Sequence, residues 1–164
     1  MSVEQKNKAV LVSKEAFQAV GLKWEGTFEE AAAGGIRLIH EEMHQRLKEI
    51  RHVVNGDTLL GLSYHADSDN TGFIHYAVVE VEKVEEVPEG MTSISVPSLT
   101  YAKCEHRKGQ SIEKSYNNIY EWIKAQELVE NQVGNLTHFE RYPMNQDPYD
   151  NDPEFTIMIP VVKK

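Results

Sequence analysis

The chain has 164 residues, 40% of them apolar and 26% charged, with 26 acidic against 17 basic side chains and a formal net charge of -9. That length fits one domain with a core of its own, and the acidic excess argues against a general nucleic-acid surface, which needs a basic stripe. A single cysteine, Cys104, excludes a disulfide framework and a cysteine-rich zinc site.

The N-terminus is polar (Ser2, Glu4, Gln5, Lys6, Asn7, Lys8), which predicts no signal peptide. No apolar run approaches the length of a membrane span, so the expected place is the cytoplasm. Ala9 to Val20 reads as a β-strand that extends towards Trp24. Thr27, followed three residues later by Glu30, is a capping-box pattern. The stripe Phe28, Ala32, Gly35, Ile36, Ile39, Met43, Leu47 and Ile50 then predicts a helix over about 28–50. Gly34-Gly35 weakens that helix by on the order of 1 kcal/mol per glycine, so the pair predicts a close approach to a sheet or a kink. After Asn55-Gly56-Asp57, two strands, Leu59 to His65 and Phe73 to Val84, flank a turn cluster at 67–72.

Val87-Pro88-Glu89-Gly90 separates the two halves of the chain. Met91 to His106 is β-rich, with Pro97 marking an edge, a bulge or a break. Ser111 is a suitable N-cap for a second helix, Ile112 to Leu128. Its stripe is Ile112, Tyr116, Ile119, Tyr120 and Ile123, with Trp122 on a flank. Two last β runs, around Phe139 and over Ile157 to Val161, flank a loop rich in Asp, Asn and Pro, which is a hairpin signal. The element order is β-α-β-β twice, in pseudo-repeats of about 8–86 and 90–164. Each amphipathic helix needs a sheet to cover it. The expected fold is therefore α+β: a single domain over 1–164, with one antiparallel sheet and two helices on one face.

Inside the first run of the last hairpin sits an acid. Period-2 alternation puts His138, Glu140 and Tyr142 on one face of that strand, and Phe139 and Arg141 on the other. A carboxylate beside a phenol on a sheet face is suited to reading a cation or to acid/base work.

Three stretches resemble the GyrI-like effector-binding domain, the family of gyrase-inhibitor-like proteins and of the ligand-sensing domains of AraC-type and MerR-type regulators. Tyr101 to Gly109 is similar to the family's strand that ends in His-x-x-Gly before a helix. Ser115 to Ile123 resembles its aromatic helix that ends in Trp-aliphatic. Phe139-Glu140-x-Tyr142, followed by Asp152-Pro153 and Ile157-Met158-Ile159-Pro160-Val161, resembles its final hairpin. The resemblance covers Thr100 to Lys163; the first half matches by element order.

The resemblance implies two fused units with a ligand cleft between the helices, and an acid, here Glu140, pointing into it. Tyr142, two residues on, could hydrogen-bond the same ligand; the aromatics that could line the cleft are Trp24, Tyr64, Tyr101, Tyr116, Tyr120 and Trp122, of which Tyr64, Tyr120 and Trp122 are preferred. The implied function is binding of an amphipathic, aromatic or cationic effector or toxin, without a cofactor. The sequence shows no helix-turn-helix region, so a free-standing effector domain without direct nucleic-acid contact is expected. The alternative is a hydrolase of strained electrophiles, with Glu140 as acid/base and Tyr142 as its hydrogen-bond partner. A third reading is a protein-interaction module for gyrase or a separate regulator, its acidic surface imitating nucleic-acid charge.

Other motifs point less clearly to chemistry. His40-Glu41-Glu42-Met43-His44 matches His-Glu-x-x-His on a predicted helix, a zinc pattern. Glu42 between the histidines and the lack of a third-ligand motif, with His65 and Asp67 unmarked, favour two boundary histidines and no metal. Asp147, Asp150, Asn151 and Asp152 do not have the spacing of a calcium loop. The run Glu80, Glu82, Glu85, Glu86, Glu89 reads as a solvated strand edge. Cys104 reads as a half-buried strand cysteine, and Asn135-Leu136-Thr137 as a sequon without sign of secretion.

Overall fold

The computed structural model describes residues 7–65, 72–131, 136–147 and 152–163. The sequon asparagine, most of the 67–72 turn cluster, Asp67, Asp150 and Asn151 lie outside the described residues.

Among the described residues nine strands form one antiparallel sheet: β1 (Ala9–Lys14), β2 (Phe17–Thr27), β3 (Thr58–His65), β4 (Gly72–Val81), β5 (Thr92–Val96), β6 (Leu99–His106), β7 (Leu128–Glu130), β8 (Leu136–Pro143) and β9 (Phe155–Lys163). The order across the sheet is β1-β6-β9-β8-β3-β4-β2-β5, with β7 on β9. Both β-rich runs predicted as single strands are broken in two. The break at Glu15-Ala16 sends β1 to pair with β6, and the break at Pro97-Ser98 lets β5 pair with β2. The two breaks meet: the Ala16 amide donates to the Ser98 hydroxyl at 2.9 Å. Each half of the chain thus lends a strand to the other.

The long first helix is also divided, into α1 (Phe28–Ala32), α2 (Gly35–Arg46) and a 3-10 turn at Leu47–Glu49. Thr27 and Glu30 form both arms of the capping box on α1. Gly34 then takes φ 112°, a left-handed conformation that ends α1 and starts α2. A Cβ on Gly35 would lie 2.6 Å from the Trp24 indole nitrogen, so the pair provides both the kink and the close approach to the sheet. The third helix, α3 (Ile112–Ala125), starts where Ser111 accepts from the Lys114 amide.

Alternation sorts the core onto two faces. On one, α2 lays Met43 over Val20, Leu22, Leu59, Ala77 and Val79. On the same face α3 lays Ile119 and Ile123 over Ala102, Cys104, Ile157 and Ile159. The helices therefore share one side of the sheet, as expected. On the other side the sheet curls on itself around Phe17, Leu62, Val78, Tyr101 and Phe139. Phe17 meets Phe139 at 5.8 Å between ring centres, and Lys14 of the edge strand β1 reaches Glu80 of β4 at 2.7 Å. Cys104 is buried, and burial pushes its thiol up to about 11, the behaviour of an inert core cysteine. Among the described residues no helix is long and apolar enough to cross a membrane.

Candidate functional site

Glu140 lies on β8 between Ile157 of β9 and Gly61 of β3. Its side chain points to the helix side, and the residue is 9% exposed. The Tyr142 hydroxyl donates to its Oε1 at 2.6 Å, and the Tyr116 hydroxyl of α3 donates to its Oε2. No lysine, arginine or histidine lies within ion-pair distance of it among the described residues. Burial first, and then the nearby Glu140, pushes the phenols of Tyr116 and Tyr142 well above their ordinary range. Both stay protonated donors across neutral pH.

The rings around this acid are held by both helices. Tyr142 packs against the α2 cluster and the α3 cluster alike, which places it at the seam between them. Its ring stacks on Phe155 at 5.1 Å and meets His40 of α2 in a T-shape at 5.1 Å. Tyr116 touches Tyr120 at 6.2 Å and His138 at 5.7 Å. A register shift at Ser63/Tyr64 sits one step before His138 and leaves it on the Glu140 face. Gly61 provides the floor: a Cβ there would lie 3.0 Å from His75 Cε1 and 3.3 Å from Tyr142 Cε2. A side chain there would press on both rings.

The quoted motifs converge to build this seam. Gly109, at φ 86°, donates its amide to the Asp152 carboxylate at 2.9 Å. His106 bonds the Ser115 hydroxyl of α3 through Nδ1 at 2.7 Å, and its ring lies 4.9 Å from Phe155. Strand β6, helix α3 and strand β9 are thereby fixed around the Tyr142–Glu140 pair.

A second polar chain lies beside it. Ser63 Oγ and His75 Nδ1 are 3.0 Å apart, and His75 Nε2 and His40 Nε2 are 3.1 Å apart, all buried. The two imidazole centres are 5.4 Å apart; the rings meet head-on through the two Nε2 atoms, the geometry of an N–H···N bond. Burial, then His44, lowers His40 to about 4. Burial, then His40 and His138, holds His75 well below its usual value. The buried nitrogen of His40 is thus committed to His75 and does not converge with His44. No group of three or more His, Cys, Asp or Glu suited to a metal occurs among the described residues.

The residues expected to bind ligand separate into two sets. Glu140 and Tyr142 are in contact, and Tyr120, 37% exposed, borders Tyr116. Tyr64 instead faces the opposite side of the sheet, in a T-shape against Tyr76 at 5.5 Å, because it alternates with Ser63. Trp24 packs against Phe73 at 5.3 Å and under the α1–α2 break. Trp122 packs into the α3 core. These three are not brought to Glu140. The residues that complete the site are Tyr116, a candidate lining aromatic outside the preferred set, and His40 and His75, which the sequence does not single out for it. Tyr116 sits one turn before Tyr120 on α3, and His75 interrupts the apolar first part of β4; both signals were present in the sequence.

A family model described as integron-associated effector binding protein matches residues 10–161. Among curated proteins no sequence matches the chain. The C-terminal domain of EcmrR has a TM-score of 0.70 at 14% identity, covering 96% of this chain and 99% of that one. Against EcmrR in its complex with DNA, the chain spans 58% of the length at 12% identity and a TM-score of 0.68. SAV2435 bound to tetraphenylphosphonium matches at TM-score 0.68 and 17% identity, covering 94% of each chain. An integron cassette protein from the mobile metagenome of Vibrio cholerae matches at TM-score 0.64 and 16% identity, covering 96% of this chain and 98% of that one. At these identities the structural likenesses establish the fold.

Proposed function

The chain belongs to the family of integron-associated effector binding proteins, and from that premise we propose that it is a receptor for amphipathic or aromatic organic cations whose charge is met by Glu140. Small-molecule binding comes with the family; the cation is read from the site. The observation that carries it is a carboxylate that is 9% exposed and ringed by phenols, with no basic group within ion-pair distance among the described residues. Buried acids in proteins are normally paired with a cation, and here the ligand would supply it. Tyr116, Tyr120 and Tyr142 offer ring faces, each worth about 0.5–2 kcal/mol to a cation. SAV2435, of the same fold, holds tetraphenylphosphonium, which supports the reading.

Tyr142 is pinned by Phe155 and His40, whereas Tyr116 belongs to the helix wall. In this reading the ligand takes the place of the Tyr116 hydroxyl. The biological setting we propose is effector sensing for a DNA-binding partner in the cytoplasm, since EcmrR in its DNA complex contains a domain of this fold.

The test is calorimetric titration of the wild type and Glu140→Gln with tetraphenylphosphonium. The variant should lose about tenfold or more in affinity, the equivalent of one charge-assisted contact; equal affinities would overturn the assignment. Mass spectrometry of the same protein after incubation with strained-ring electrophiles separates the receptor from the hydrolase that the Tyr142–Glu140 contact would also serve. Unaltered compounds leave the receptor reading standing, and turnover replaces it.

A further inference from the structure

Strand β8 turns Glu140 towards the helices and Arg141 towards the opposite face. Arg141 and Thr58 are shared between two cavities at that end of the strand, one of about 450 Å³, which also borders Tyr142, His106 and Phe155 of the Glu140 seam, and one of about 100 Å³. The larger has a size suited to a metabolite. Three basic and three acidic residues line it: Lys103, Arg107 and Arg141 against Asp57, Glu105 and Glu154. Its walls are therefore neutral in a chain of net charge -9.

Some of the charges nearby are committed. Glu80 is bound by Lys14 at 2.7 Å. Glu105 accepts from the Thr156 hydroxyl at 2.8 Å and faces Lys103 at 4.0 Å. Four are not. Arg107, Arg141, Asp57 and Glu154 make no side-chain ion pair among the described residues. Arg141 and Glu154 are half-buried. One cavity thus presents uncommitted groups of both signs that do not satisfy one another.

We propose that this cavity is a second binding site, adjoining the Glu140 seam at Tyr142 but not lined by Glu140 itself, for a small zwitterion of the amino-acid or dipeptide class. The planar fork of Arg141 fits a carboxylate through two parallel hydrogen bonds. The ammonium end meets Asp57 and Glu154. A lone anion would face those two acids and a lone amine would face two guanidinium groups, so neither half alone is well matched.

The experiment titrates the full chain with glycine, leucine and glycylglycine, and separately with propionate and propylamine. At least one zwitterion should bind about tenfold more tightly than either half-molecule. Arg141→Gln should lose that binding about tenfold, and Arg141→Lys, which keeps the charge without the fork, should lie between. Glu140→Gln should bind the zwitterion as the wild type does. Propionate binding as tightly as the zwitterions, no zwitterion binding at all, or an unchanged affinity in Arg141→Gln each overturns the proposal. A thermal melt of each variant verifies folding. Tyr142 borders both sites, so Arg141→Gln is titrated with tetraphenylphosphonium as well: unchanged affinity there, beside lost amino-acid binding, separates the two readings.

Discussion

Replacing Tyr116 by phenylalanine removes one oxygen and keeps the ring against Tyr120 and His138. The oxygen lost is one of the two donors to Glu140, and its removal leaves Oε2 without a partner in the seam. A hydrogen bond to a charged acceptor contributes about 1.5–3 kcal/mol, so the free protein should be destabilised by about 2 kcal/mol. Binding of a cation should change in the opposite direction. In the wild type the ligand must displace the Tyr116 hydroxyl and loses that bond; in the variant Oε2 is free to receive the charge. The same 2 kcal/mol then appears as an affinity gain of up to about 30-fold, at 1.4 kcal/mol per factor of ten. Urea unfolding of the unliganded protein and calorimetry with tetraphenylphosphonium measure the two quantities on one preparation. The reasoning fails if stability and affinity fall together, because the Tyr116 hydroxyl would then hold the ligand and not compete with it. Unchanged stability would show that the Tyr116–Glu140 bond contributes nothing in the free state.

Two further predictions concern the floor of the site and its histidines. Gly61→Ala places a methyl group 3.0 Å from His75 Cε1 and 3.3 Å from Tyr142, an overpacking that should lower stability by about 1–3 kcal/mol and weaken cation binding; an unchanged melting temperature would show that the rings have room to move. The lowered value of His40, about 4 against 6.5 unfolded, means that the unfolded chain binds more protons between these limits. Stability from this group is full above pH about 6.5 and is lost as the pH falls towards about 4, by on the order of 3 kcal/mol. Other groups also titrate there, so the measurement is the difference between wild type and His40→Gln: the variant's stability should fall less steeply over that window, and parallel profiles would refute the buried neutral state of His40.

Local chemistry made a large part of this molecule legible before any coordinates. Thr27 and Glu30 announce the start of α1 because a capping box is satisfied within four residues. Gly34 and Gly35 announce a break because no other residue tolerates both the left-handed turn and the indole pressed against it. Alternation along β8 put Glu140, Tyr142 and His138 on one face, since a strand's period is a local property. What alternation leaves open is which residues from elsewhere arrive on that face. Tyr64 obeys the same period on β3 and is carried to the far side of the sheet with Tyr76. The break at Pro97 was visible, but the exchange of β1 and β5 between the halves was not, because strand partners are chosen by whole-sheet closure. Tyr116 reaches Glu140 across 24 positions, and His40 reaches His75 across 35. Such pairs arise when two helices settle on one curled sheet, and no window of sequence contains the packing energy that brings them together.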